Sequence, residues 1–282
     1  MQQAATSCPQ REKRRAIEDV KPLIEAYWQY CQGGQWQEAY DLVRQEGVFA
    51  DLKDWGSNAI LLELCQLLLP LDNWQPQPWQ ESGIYYYLGR TYEVFGQKKQ
   101  AIGYYERTLQ INKKEKNRQG ECAMLNNLGL VYNDLGKQQE ALSYYEQALA
   151  ISREVGDRTG EGVTLNNLGL VYDDLGNKQK ALSYYEQALA IRREVGDRTG
   201  EGVTLHNVGT LYFERNHYDV ALAFFLSARK ILEEVQSPHR DDEQSWIDGL
   251  RRKIGEEQFT TLLAQVEPQA LQIVERALQE GL

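Results

Sequence analysis

The stretch LNNLGLVY occurs twice in the chain, at Leu125–Tyr132 and again at Leu165–Tyr172. The second copy begins 40 residues after the first, and the segments 125–164 and 165–204 differ at only five positions. A fixed repeat period of roughly 20 to 50 residues indicates a solenoid, in which each unit buries its apolar face against the next one. The sequence therefore predicts an array of stacked units.

The same frame continues on both sides of these two copies. Residues 85–124 contain YLGRTY and residues 205–244 contain NVGTLY, each at the place where the central copies have NLGLVY. We therefore predict a repeat region at residues 84–240, with four 40-residue units framed at 85–124, 125–164, 165–204 and 205–244.

Each unit has the pattern of two amphipathic helices. In the second unit, Leu125, Leu128 and Tyr132 recur at steps of three and four residues, which places them on one face of a helix over about 120–135. Gly136 ends that helix, and a second helix is predicted over 138–155. Asp157 is expected to cap the next helix, because its carboxylate can accept the free amide hydrogens of the first turn.

Small residues recur where the two helices of a unit are expected to cross. The glycines are Gly89, Gly129, Gly169 and Gly209, and the alanines are Ala101, Ala141, Ala181 and Ala221. Glycine inside a helix costs up to ~1 kcal/mol relative to alanine. Its recurrence at one position of the repeat therefore indicates that two helix backbones approach closely there.

The pattern L-x-x-L-G-x-x-Y-x-x-x-G-x-x-x-x-A-x-x-x-Y-x-x-A, as read from Leu125 to Ala148, resembles the tetratricopeptide repeat. The resemblance implies an all-α solenoid, a right-handed superhelix of helix pairs. The 40-residue unit with its longer second helix is similar to the arrays of animal spindle-orientation adaptors. It is also similar to the arrays of bacterial signalling NTPases of the STAND type, although no phosphate-binding GxxxxGK[ST] loop occurs in this chain.

The segments outside the repeats have a different organisation. Residues 1–15 are predicted to be a flexible terminus, and residues 16–80 a divergent helical subdomain or cap that includes helices at 20–43 and 58–69. Residues 241–282 are predicted to form capping helices, Asp242–Ile254 and Glu256–Leu282, the second with a bend at Pro268, because a solenoid needs caps over the apolar face of its last unit.

The resemblance implies that partners bind in a concave groove lined by the first helix of each unit. The predicted groove residues are Tyr86, Arg90, Glu93, Asn126, Asn127, Leu130, Asn133, Asp134, Asn166, Asn167, Leu170, Asp173, Asp174, His206, Asn207, Thr210, Phe213 and Glu214. Asparagine both donates and accepts hydrogen bonds, which suits a peptide backbone. The carboxylates favour a basic ligand. Two alternatives stay open: the asparagines tie adjacent helices together, and the acids form a solvated face.

Composition excludes several classes of function. The net charge of −10 and the pI of about 5.0 disfavour nucleic acid as a partner. No apolar run reaches the roughly 18–20 residues that a membrane span needs, no signal peptide is evident, and we expect a cytoplasmic protein. The four cysteines and three histidines have no metal-site spacing and no nucleophile motif is present, so we expect no enzyme, metal or cofactor.

Two functions remain open at this stage. The first is an adaptor that binds a peptide, helix or protein in the groove. The second is the sensor portion of a STAND-type signalling system, separate from its NTPase domain. Self-association of the near-identical units is a third arrangement that the sequence permits.

Overall fold

The computed structural model describes residues 8–69, 74–237 and 240–280, without the side chains of residues 240, 241 and 280. Every regular element within these ranges is a helix, so the predicted all-α fold is confirmed. Contacts divide the chain into two compact units, with the boundary between Val131 and Tyr132.

The first compact unit begins with two short 3-10 turns, Arg11–Lys13 and Ile17–Val20. Its α-helices are α1 (Lys21–Gln32), α2 (Trp36–Gln45), α3 (Val48–Asp54), α4 (Asn58–Leu67), α5 (Pro78–Val94), α6 (Lys98–Lys114) and α7 (Arg118–Asp134), the last of which crosses the boundary. Their core contains Leu23, Tyr27, Leu52, Leu61 and Leu88.

The second compact unit contains five helices of the repeats, followed by the C-terminal helices. Its elements are α8 (Gln138–Val155), α9 (Arg158–Asp174), α10 (Lys178–Val195), α11 (Arg198–Glu214), α12 (Tyr218–Glu234), α13 (Arg240–Ile254), α14 (Glu256–Val266), the 3-10 turn Glu267–Gln269 and α15 (Ala270–Glu280). The central core contains Tyr185, Tyr212, Phe224, Phe225 and Leu250.

The start of each first helix is set by the residue before it. The amide of Gly160 donates to Oδ1 of Asp157 at 2.9 Å, and the amide of Gly200 donates to Oδ1 of Asp197 at 2.8 Å. The predicted cap at Asp157 is therefore confirmed. The first helices of the last three repeats begin at Arg118, Arg158 and Arg198. In the repeat that contains Leu125, this start is two residues before the predicted start at residue 120.

The glycine at the crossing position leaves room for an aromatic ring of the paired helix. A β-carbon on Gly169 would lie 2.5 Å from the ring of Tyr185, one on Gly89 would lie 2.6 Å from Tyr105, and one on Gly209 would lie 2.8 Å from Phe225. Both tyrosines and Phe225 are fully buried. Glycine is required there because any larger residue would push the ring out of the core.

The terminal segments differ from the prediction in two places. Residues 8–15 are not a loose terminus, because the buried guanidinium of Arg14 is bound by Asp51 at 3.1 Å and Glu46 at 2.9 Å; residues 1–7 lie outside the described residues. Helix α3 was not predicted. The last helix, predicted to bend at Pro268, is interrupted there by the 3-10 turn, because proline lacks the amide hydrogen that a continuous helix needs.

The crossing glycine gives a test of the packing. We expect Gly169→Ala to lower the free energy of unfolding by about 1–3 kcal/mol, because the clash with Tyr185 exceeds the gain in helix propensity. The matched control is Gly249→Ala on α13, where no described atom lies within 4 Å of the new β-carbon. This control should raise stability by up to ~1 kcal/mol. Urea denaturation of the two variants measures the difference, and equal stabilities would show that the crossing assignment is wrong.

Candidate protein-interaction surface

One strip of side chains on α9 and α11 keeps accessible surface in the second compact unit. On α9 it comprises Val163, Asn167, Leu170 and Asp174, and on α11 Val203, Asn207, Thr210 and Glu214. Steps of four, three and four residues keep each set on one side of its helix. Val163, Asp174 and Glu214 are exposed and the other five are half-buried. We call this set the α9–α11 strip.

Asn166 does not belong to the strip. It is only 4% exposed, and its Oδ1 accepts hydrogen bonds from Oγ1 of Thr204 and Nδ2 of Asn207, both at 3.0 Å. Asn126 is only 8% exposed, and its amide donates to the carbonyl of Cys122 at 3.1 Å. The prediction that these two side chains face a partner is therefore wrong. Asn166 instead ties α9 to α11.

The neighbouring Asn167 has the opposite environment. It is half-buried, and its carboxamide makes no hydrogen bond to any other described residue. Asn127 in the preceding repeat is also half-buried. Of the two asparagines on α9, Asn167 is thus the one whose donor and acceptor are available to a ligand.

The predicted acidic residues at the ends of α9 and α11 are mostly engaged within the fold. Nζ of Lys178 lies 2.5 Å from carboxylate oxygens of both Asp173 and Glu214. Nδ2 of Asn133 donates to Oδ2 of Asp174 at 2.9 Å. Burial raises the pKa of Asp173, although the hydrogen bond from Lys178 acts in the opposite direction. The strip is therefore less negative than its sequence suggests.

Two predicted residues of α11 are covered by α13. The ring of Trp246 lies 5.5 Å from His206 and 5.9 Å from Phe213, measured between ring centroids. Nδ1 of His206 lies 2.8 Å from a carboxylate oxygen of Glu243, which is itself buried. His206 and Phe213 therefore pack against α13, and both side chains are half-buried, so only part of each remains accessible to a partner.

The predicted residues of α5 and α7 have mixed environments. Tyr86 packs edge-on against Tyr87, and Arg90 lies 3.5 Å from Glu93, which also accepts a hydrogen bond from Tyr105. Leu130 is half-buried and Asp134 is exposed. The pair Arg90 and Glu93 is satisfied within the fold, whereas Leu130 and Asp134 keep accessible surface.

Sequence reasoning missed the valines of the strip. Val163 is 36% exposed, and Val203 is the equivalent residue of the next repeat. Each valine lies four residues before an asparagine, at 167 and 207, and so shares its side of the helix. The signal was present in the recurring segment GEGVT, but the predicted groove was restricted to positions that flank the L-x-x-L-G core.

Two models of the tetratricopeptide repeat match the chain, one at residues 85–119 and the other at residues 120–194 and 181–234. The chain belongs to the tetratricopeptide repeat family. Tetratricopeptide repeats form protein-interaction scaffolds that are typically not catalytic, and the family therefore implies protein partners for this chain. A comparison with curated protein sequences finds no match.

Several solved tetratricopeptide structures share the fold at low sequence identity. RapI in its apo form is 18% identical with a TM-score of 0.66, and the alignment covers 94% of this chain and 77% of RapI. BtubC from P. vanneervenii is 23% identical with a TM-score of 0.52, covering 84% and 92% of the two chains. A STAND protein with a tetratricopeptide repeat sensor from Pyrococcus horikoshii is 13% identical with a TM-score of 0.61. That alignment covers 94% of this chain and 44% of the STAND protein.

A search of the helices in the described ranges finds none with the length and apolar character needed to cross a bilayer.

The two adjacent asparagines of α9 allow a matched test. We expect Asn166→Ala to lower the free energy of unfolding by about 1–3 kcal/mol, because it removes a buried acceptor used by both Asn207 and Thr204, and leaves Thr204 only the carbonyl of Gly200. Asn167→Ala should change it by no more than about 0.5 kcal/mol, since no internal hydrogen bond is lost. Chemical denaturation measures both values. A larger loss for Asn167→Ala would mean that the burial of the two side chains is assigned the wrong way round.

Proposed function

We propose that this tetratricopeptide protein is an adaptor that binds a segment of a partner protein along the α9–α11 strip. The observation that carries the proposal is the combination of exposed or half-exposed apolar side chains with an uncommitted carboxamide on α9. Val163, Leu170 and Val203 offer apolar contact, and Asn167 offers one donor pair and one acceptor to a peptide backbone. Surfaces of this mixed composition suit protein partners better than a fully polar, solvated face does.

The polar end of the strip favours a partner with a positive charge. Asp174 and the half-exposed Glu214 keep accessible oxygens beyond those bound by Asn133 and Lys178. A lysine or arginine of the partner placed there would extend the existing ion pairs. Because these carboxylates already have partners, the apolar contacts and Asn167 should contribute most of the affinity. The charge of the carboxylates should set the orientation of the bound segment.

The alternative is a sensor role in a STAND-type signalling system. It is supported by the fold shared with a STAND protein that carries a tetratricopeptide repeat sensor. In this case the same strip would contact a whole folded protein, and binding would control a nucleotide-binding domain. In both alternatives the chain acts by binding and carries out no reaction itself.

A photo-crosslinking experiment tests the location of the binding surface. Benzoylphenylalanine placed at Val163 should form a covalent adduct with the partner in cells of the source organism. The same residue placed at Ser143, which is exposed on α8, should not. Adducts formed only from Ser143 would place the partner on the second helices and would contradict the proposal.

Once mass spectrometry has identified the crosslinked segment, a peptide of that sequence can be titrated by calorimetry. We expect a dissociation constant in the micromolar range for a flexible peptide, which corresponds to a binding free energy of about −8 kcal/mol. Asn167→Ala should weaken binding about tenfold without a change in thermal stability, because it removes hydrogen bonds made only in the complex. An unchanged affinity would show that Asn167 lies outside the interface. A basic segment should bind more weakly as salt is raised, since exposed charges are screened.

A further inference from the structure

The first compact unit contains a cleft that the repeat pattern does not account for. It has a volume of about 360 Å³ and lies between the N-terminal segment, α2, α3 and α5. Its wall includes Arg11, Tyr40, Arg44, Phe49, Trp79 and Tyr87. We call it the Arg44 cleft. Its size is at the lower end of the range of roughly 300–1,000 Å³ for ligand sites, enough for one or two side chains of a partner.

The charges around the cleft leave Arg44 without a carboxylate. Asp51 binds both Arg11 and Arg14, and Glu46 binds Arg14. Arg44 is exposed, and within the described residues it forms no ion pair; its guanidinium instead lies 4.7 Å from the ring centroid of Trp79. In a chain with a net charge of −10, this cleft presents an unpaired cation beside an aromatic ring.

Two tyrosine hydroxyls in the wall are also without hydrogen-bond partners among the described residues. Tyr40 is only 5% exposed, and its hydroxyl lies 3.5 Å from the position that a β-carbon on Gly83 would take, at the wall of the cleft. Burial raises the pKa of Tyr40 and of Tyr87 to about 12. Both hydroxyls therefore keep their protons near neutral pH and are available as donors to an anion.

The apolar part of the wall lies next to these donors. The rings of Phe49 and Tyr87 are 5.2 Å apart, and those of Tyr40 and Trp79 are 5.8 Å apart. Trp79 is 50% exposed although it is a large aromatic residue. Half-exposed tryptophan beside arginine is a combination that is enriched where proteins bind other proteins.

We propose that the Arg44 cleft binds an acidic segment of a partner protein. A carboxylate of that segment is bound by Arg44 and by the hydroxyl of Tyr40, and an adjacent apolar side chain packs on Trp79 and Phe49. The cation, the two unused donors and the exposed ring all favour this ligand, whereas a basic segment would meet Arg11 and Arg44. The site is independent of the α9–α11 strip, which is expected to favour the opposite charge.

The probe is a set of biotinylated, acetylated peptides measured against the full chain by biolayer interferometry. Each peptide has a Gly-Ser scaffold with two acidic residues beside one Phe, Trp, Leu or Ile, and a matched set has lysines in place of the acids. We expect acidic members to bind with dissociation constants on the order of 10–100 μM and to weaken as salt is raised, and the lysine set not to bind. If no acidic peptide binds more tightly than about 1 mM, or if the lysine set binds equally, the proposal is wrong.

Variants of the cleft separate this site from a general attraction of charge. Arg44→Ala should weaken acidic peptides about tenfold or more, because Arg44 is the unpaired cation of the cleft. Gly83→Leu should do the same without any change in charge, because the new side chain fills the cleft beside Tyr40. The control is Arg107→Ala, which removes an exposed arginine that also stacks on tyrosines of the same unit, Tyr85 and Tyr104, outside the cleft.

Peptide affinity and thermal stability, measured for each variant, show whether the Arg44 cleft is the binding site. Loss of binding in Arg44→Ala and Gly83→Leu with retention in Arg107→Ala supports the site. An equal loss in Arg44→Ala and Arg107→Ala with full binding in Gly83→Leu would mean that only net charge matters and would overturn it. Circular dichroism and thermal unfolding of each variant show that the fold is intact. Asn167→Ala, in the other compact unit, should bind acidic peptides like the wild type, so this result stands or falls separately from the proposed adaptor surface.

Discussion

The close contact between a glycine of one helix and an aromatic ring of its partner is the constraint on which the repeats depend. Where Gly169 meets Tyr185, the distance available to a β-carbon is 2.5 Å, so only a hydrogen atom fits. This contact fixes which side of α9 faces α10, and Leu168 and Val171 are buried with it. With the rotation of each helix fixed, Val163, Asn167 and Leu170 have to lie on a different side. The position of the α9–α11 strip is thus a consequence of how the core packs.

The repeat helices were predictable from sequence because their determinants are local. Helix α8 has the predicted bounds Gln138–Val155, and Asp157 caps α9 through its own side chain. Helix α3 was not predictable in this way. It has only seven residues, begins after Gly47 in the left-handed region at φ 69°, and is stabilised by the burial of Val48, Phe49 and Leu52. Its existence depends on tertiary packing, which a short isolated segment does not reveal.

The candidate site was only partly predictable, because neighbouring residues on a helix differ by about 100° in direction. The pair NN was recognised in the two central repeats, but sequence alone does not say which asparagine faces the core. The partners that decide this for Asn166 are Thr204 and Asn207, 38 and 41 residues later in the chain. The acidic residues were misjudged for a similar reason. Lys178, which binds Asp173 and Glu214, occupies one of the few positions where the two central copies differ.

The last repeat shows how the strip ends. His206 is at the position equivalent to Asn166, and it contacts Glu243 on α13 as Asn166 contacts Thr204 on α11. The same helix brings Trp246 against His206 and Phe213, which leaves both side chains half-buried. Of the residues predicted on α11, Asn207, Thr210 and Glu214 belong to the strip, joined by the unpredicted Val203. Under the proposed adaptor function, substitutions at Val163 and Asn167 on α9 should therefore dominate the affinity for the partner, because both side chains keep accessible surface.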